Sequence, residues 1–183
     1  MKTEVAMQST GYDTPTPLNM GPKQVAAIAE HIGEQVGYKA GGDLKELVQR
    51  MGGRVSYVDF WGGESTSSGS IEIRNNSFEI RLALDTGMMR DRFTIAHELG
   101  HYVLHYLYPN QKLGRNITWL VAERNGSGQV EKEANWFAAA FLMPSAEYKE
   151  VFAKYDGDQV LISQHFQVSV QASTIRAKVL GLA

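Results

Sequence analysis

The sequence predicts an α+β fold. Three observations carry that reading: apolar residues recur at helical spacing in the first third of the 183-residue chain, they alternate from 54 to 84, and they return to helical spacing from 90 onward. The resulting order is helix, helix, sheet, helix, loop, helices. The length suits one domain with a small appendage.

The opening stretch, MKTEVAMQSTGYDTPTPLNM, is rich in Thr and Pro and reads as a flexible lead-in over 1–21, loose or draped on the body. It lacks the apolar run of a signal peptide. Pro22 then stands where a first helical turn begins, and Val25, Ile28, Ala29, Ile32 and Val36 mark a helix closed by Gly37. Asp43 is a natural N-cap for a second helix carrying Leu44, Leu47, Val48 and Met51, stopped by Gly52-Gly53. RVSYVDF (54–60) alternates like a strand, and WGGESTSSG after it reads as a connector. SIEIRNNSFEIRLALD predicts a hairpin with Asn75-Asn76 in the turn. Ile71 and Ile73 line one arm, and Phe78, Ile80, Leu82 and Leu84 line the other.

A long helix is expected over about 90–107, ending before Pro109, then an irregular stretch from 110 to 129, then a helix over about 130–142 ending before Pro144. The tail reads as two or three short helices with a turn at Val168-Ser169. This divides the chain into a body over 22–145 and a small helix-turn-helix-like subdomain over 146–183 packed on it.

Composition narrows the function. The net charge of −2 offers no basic footprint for nucleic acid or a membrane surface, and no segment is apolar enough to cross a bilayer. The tail offers only Arg176 and Lys178 as cations on its second helix, both read as exposed solubilising residues, so DNA binding is not expected. There are no cysteines, which excludes disulfides and any Cys-containing zinc site. A cytoplasmic location fits that composition.

Three of the five histidines fall in RFTIAHELGHYVLH (92–105). His97, Glu98 and His101 form H-E-x-x-H. Four residues advance a helix by about 400°, so His97 and His101 project from one face a turn apart, close enough to share one ion. In zinc hydrolases with this motif the glutamate takes a proton from the attacking water and passes it to the leaving amine. The surroundings, Phe93, Ile95, Ala96, Leu99, Val103 and Leu104, are apolar, and unpaired imidazoles there would lose solvation without return.

A catalytic zinc asks for a third protein ligand. His105 lies roughly 12 Å along a straight helix from His97, too far to share the ion, and reads as a packing or cleft-side residue. The better donor lies in QVEKEANWFAAAFLMP (129–144), whose Ala134, Phe137, Ala138, Phe141 and Leu142 form a buried stripe. Glu131 is preferred, with Asn135 one turn on to hold a ligand histidine from behind. Glu133, about 200° round from Glu131, is the alternative.

RFTIAHELGHYVLH followed about thirty residues later by EKEANWFAAAFLMP resembles the ImmA/IrrE family of zinc metallopeptidases. The resemblance extends from about residue 22 through LKELVQRMGGRVSYV to the closing LISQHFQVSVQASTIRAKVLGL. It implies a compact gluzincin-like fold with a small antiparallel sheet and an active-site helix. It also implies Zn2+ held by His97, His101 and Glu131, with Glu98 as acid/base. The implied substrate is a helix-turn-helix repressor protein, cleaved to release prophage, mobile-element or stress-response genes. The rival reading is a non-catalytic repressor-binding or toxin–antitoxin module on the same fold.

Two features depart from the pattern. Asn135 stands where many gluzincins have aspartate, and no long C-terminal sensor domain is present, so direct sensing of a small-molecule signal is not expected. Tyr102, Tyr106 and Arg92 are candidates for steadying an oxyanion. The arm 78–84 is a candidate edge for pairing with an extended peptide.

Overall fold

The computed structural model describes residues 11–59, 69–123 and 128–183. Residues 1–10 of the lead-in, Phe60, most of the connector read at 61–69, and residues 124–127 lie outside the described residues. The fold is α+β. Helix α1 (Pro22–Gln35) is followed by α2 (Leu44–Arg50), whose N-cap Asp43 accepts hydrogen bonds from the Lys45 and Glu46 amides. Strands β1 (Gly53–Val58), β2 (Gly69–Arg74) and β3 (Ser77–Ala83) come next. The two central turn residues between β2 and β3, Asn75 and Asn76, both have positive φ (47° and 69°). Asparagine tolerates that conformation better than most residues, and it matches the twist of a two-residue hairpin.

The expected antiparallel sheet is mixed. Its order is β1-β3-β2 and then β4 (Trp119–Glu123), with β1 parallel to β3 and the other pairs antiparallel. Strand β4 falls inside the stretch read as irregular. Leu120 and Ala122 are buried, but Trp119 and Val121 opposite them are also apolar, so no alternation announced the strand. β3 consequently has neighbours on both sides, and its backbone cannot pair with a peptide. Leu84, expected in the core, lies past the end of β3 and is 60% exposed.

The central helix is the largest departure. Helix α3 (Met88–Gly100) runs directly into a π-helical segment, His101–Leu107, and on into α4 (Tyr108–Lys112). An α-helix should stop before Pro109, whose ring crowds the carbonyl four residues back. Here the wider turn absorbs it: the Tyr108 amide donates to Val103 O, five residues earlier.

Helix α5 (Gln129–Leu142) packs on both α1 and α3. A Cβ on Gly100 would stand 3.1 Å from Ala134 Cα and 3.2 Å from Ala134 O, so the missing side chain lets α3 and α5 approach. Helices α6 (Ser145–Lys154), α7 (Gln159–Phe166) and α8 (Val170–Val179) complete the chain. The turn between α7 and α8 has Gln167 at φ 51° and Ser169 as N-cap. Arg176, expected to be exposed, is buried. Its Nε donates to Met143 O and its Nη2 to Glu30, tying α8 to the end of α5 and to α1.

Residues 11–20 lie along the body. The Asp13 amide donates to Trp119 O and Asp13 O accepts from the Val121 amide, while the Leu18 and Met20 amides donate to Glu133. Among the described residues, no helix is long and apolar enough to cross a membrane.

Candidate metal centre

His97 sits on the last full turn of α3, His101 opens the π segment, and Glu131 stands on the first turn of α5. The Gly100–Ala134 approach brings the two helices close enough for these side chains to meet. His97 Nε2 and His101 Nε2 are 3.2 Å apart, and Glu131 places one oxygen 3.2 Å from the first and the other 3.4 Å from the second. Four ligands at zinc bond lengths of about 2.0–2.1 Å in a tetrahedron would stand about 3.3 Å from one another. The donor set therefore fits a tetrahedral divalent cation. Among the described residues, these three form the group able to hold one.

The ligand rings are anchored on their far sides. His97 Nδ1 lies 2.9 Å from Asn135 Oδ1, so the amide that replaces the aspartate of many gluzincins still holds this imidazole. His101 Nδ1 lies 3.0 Å from His105 Nδ1, and His105 Nε2 lies 3.0 Å from Glu133 Oε2. Glu133, the alternative third ligand, faces His105 and the N-terminal segment, one layer behind the cluster. Helical phase explains this, because two residues along α5 turn its side chain away from that of Glu131.

Burial and charge set the protonation of the cluster. Burial holds the His101 imidazole down to about 4, against the opposing effect of Glu131 beside it. Burial by itself would raise the Glu131 carboxyl, but the His101 and His97 imidazoles beside it outweigh that and hold the carboxyl well below the usual range. Glu133 follows the same pattern: burial raises it, and His105 with the Leu18 amide brings it below its ordinary value.

Glu98 is buried beside His97 on α3. The first residue of β2 crosses directly above it: a Cβ on Gly69 would be 2.4 Å from Thr94 Cγ2 and 3.1 Å from Glu98 Oε1. Gly69 and Gly100 were both missed by sequence reasoning. Gly100 sits inside the H-E-L-G-H run and could have been suspected, whereas nothing local marks Gly69. The oxyanion candidates are engaged elsewhere. Arg92 donates to Gly42 O, Gln167 O and Tyr38 Oη. Tyr106 bonds the hairpin turn at Asn76, and the Tyr102 ring stacks on Phe78.

Residues 79–178 match the family model described as IrrE N-terminal-like domain, a peptidase family, and this match spans more than half of the chain. The chain belongs to the IrrE N-terminal-like family. The matched span takes in α3, the π segment and α5, so this family member carries a metallopeptidase-type domain with a His/His/Glu group able to bind a metal. A solved structure, a Mycobacterium tuberculosis transcriptional regulator, shares the fold. The TM-score is 0.63 at 21% identity, over 85% of this chain and 46% of that one, so the chain spans less than half of that regulator's length. No curated protein matches the chain.

Proposed function

We propose that this chain is a zinc-dependent endopeptidase that hydrolyses one peptide bond in a regulatory protein, a helix-turn-helix repressor. The observation that carries the reading is the gathering of His97 Nε2, His101 Nε2 and the Glu131 carboxylate within 3.4 Å of one another, with the Glu98 carboxylate buried on the same helix. His97, His101 and Glu131 would hold the ion, which when bound acts as a Lewis acid toward the scissile carbonyl and makes water more acidic. Glu98 takes the proton from the attacking water and returns it to the leaving nitrogen. Asn135 and His105 keep the two imidazoles aimed while this happens.

An apolar groove of about 550 Å³ supports a protein substrate over a small polar one. Met89, Phe93, Trp136, Ala139, Ala172 and Ile175 line it, and Asn135 forms part of its wall. Asn135 also bonds His97 Nδ1, so the groove lies behind the His97 ring on the outer side of the cluster. Apolar side chains of the protein substrate away from the scissile bond would seat there. Helix α8 and the turn before it, which supply one wall of the groove, would recognise the partner.

The test is to incubate the purified chain with zinc and a co-expressed helix-turn-helix repressor. Fragmentation that stops on chelation and is absent in Glu98→Gln supports the enzyme. Tight binding without cleavage, unaffected by Glu98→Gln, supports the sequestering module instead.

A further inference from the structure

We propose that Glu133, pinned by the backbone of residues 18–20, dictates the tautomer of His101 through His105, which makes the N-terminal segment a working part of the metal centre. This rests on the metal reading above and deepens it. The argument is one of proton counting. Glu133 Oε2 faces the Leu18 amide at 3.0 Å and His105 Nε2 at 3.0 Å, and its Oε1 faces the Met20 amide at 3.1 Å and Gln129 Nε2 at 3.4 Å. The two amides and the Gln129 amide group can only donate to it, so the carboxylate is an acceptor on all sides.

A neutral His105 therefore carries its proton on Nε2 and offers a lone pair at Nδ1. That lone pair stands 3.0 Å from His101 Nδ1, which must then hold a proton. The remaining nitrogen, His101 Nε2, is left as a lone pair aimed at Glu131 and His97. A cation binds that tautomer, and the opposite one would present an N–H. On the other ligand, Asn135 Oδ1 fixes His97 in the same sense. The two histidines thus reach one proton pattern by different routes, a single side-chain amide for His97 and a buried relay ending on the main chain of residues 18 and 20 for His101.

Glutamine at 133 would set an N–H against a main-chain N–H wherever its amide nitrogen sits. On the Oε1 side it opposes the Met20 N–H, and on the Oε2 side it opposes the Leu18 N–H and also reverses the His105 tautomer, pushing the proton to Nδ1. Glu133 and His105 are positioning residues, and docking of residues 18–20 and metal binding favour each other.

The experiment measures zinc affinity by chelator competition in the full chain, with the visible spectrum of the cobalt-substituted protein as a second readout. Glu133→Gln is expected to weaken zinc by about 10–100-fold and to alter the cobalt bands. Leu18→Pro, which deletes one donor far from the ion, should weaken it several-fold, and Leu18→Ala, which keeps the N–H, should leave it unchanged. In the native protein, zinc should slow hydrogen exchange at the Leu18 and Met20 amides. If Glu133→Gln fails to fold, the two Leu18 variants and the exchange measurement decide the matter. Native zinc affinity in Glu133→Gln, equal affinities in the two Leu18 variants, or amides indifferent to zinc would overturn the proposal while leaving the metal site intact. A native chain that takes up no zinc overturns both.

Discussion

The junction of α3 with α5 and the outer face of α8 break the usual burial rule in opposite directions. At the junction His97, Glu98, His101, His105 and Glu133 are buried, whereas on α8 Val170, Ile175 and Val179 are exposed. The buried polar groups find one another: Asn135 and His105 engage the outer nitrogens of the two imidazoles and Glu133 engages His105, leaving the inner nitrogens facing a carboxylate. The exposed apolar groups have no such internal answer, and Ile175 and Val179 line the groove whose wall includes Asn135, behind His97. Under the proposed function one region serves chemistry and the other contact. Substitutions in each should therefore affect different observables.

The largest effect should come from Glu98→Gln. Cleavage is expected to fall by about 10²–10⁴-fold with zinc content unchanged, read by a repressor-fragmentation assay beside metal analysis. Retained cleavage would remove Glu98 from the chemistry. Next is Gly100→Ala, which pushes a methyl group against the Ala134 backbone. It should cost about 1–3 kcal/mol in denaturant unfolding and weaken zinc as well, since the same contact sets the spacing of the ligands. Stability lost without any change in zinc affinity would mean the helix approach does not set the site.

Filling the groove with Ala139→Trp sharpens the contrast from the other side. kcat/KM for the repressor should drop about tenfold or more, with zinc affinity and cleavage of a short unselective peptide unaltered. The smallest and most general effect is on acid stability. The folded-state value of His101 is depressed from 6.5 to about 4, so the unfolded chain binds the proton more readily between those values. Stability of the metal-free protein is complete above about pH 6.5 and declines as the pH falls toward 4. Glu131 and Glu133, also depressed, extend the loss below their ordinary range. Thermal melts across that range should show the decline, while α8 variants such as Ile175→Ser should keep the same pH profile.

Much of this was legible in the residues. Helical spacing located α1, α2 and α5, Asn75-Asn76 located the hairpin turn, and H-E-x-x-H placed two imidazoles on one face. What escaped depends on contacts between distant segments. β4 carries apolar residues on both faces, so its strand character emerges only through pairing with β2. The π segment follows from how Pro109 is accommodated, which periodicity does not record. Glu131 and Glu133 have the same chemistry two positions apart, and helical phase against a partner helix separates their roles. His105, set aside as a ligand for its distance from His97, does lie outside the cluster, yet the relay gives it a part in it. Arg176 looked solvent-facing because a cation on a short helix usually is, and only Glu30, 146 positions away, explains its burial.

The most direct test is X-ray absorption at the zinc edge on the loaded native chain. Two imidazoles near 2.0–2.1 Å with carboxylate and solvent oxygens at about 2.0–2.2 Å are expected, and one imidazole should be lost in His101→Ala. A shell of three imidazoles, bringing His105 onto the metal, or a shell of oxygens alone would contradict the centre described here.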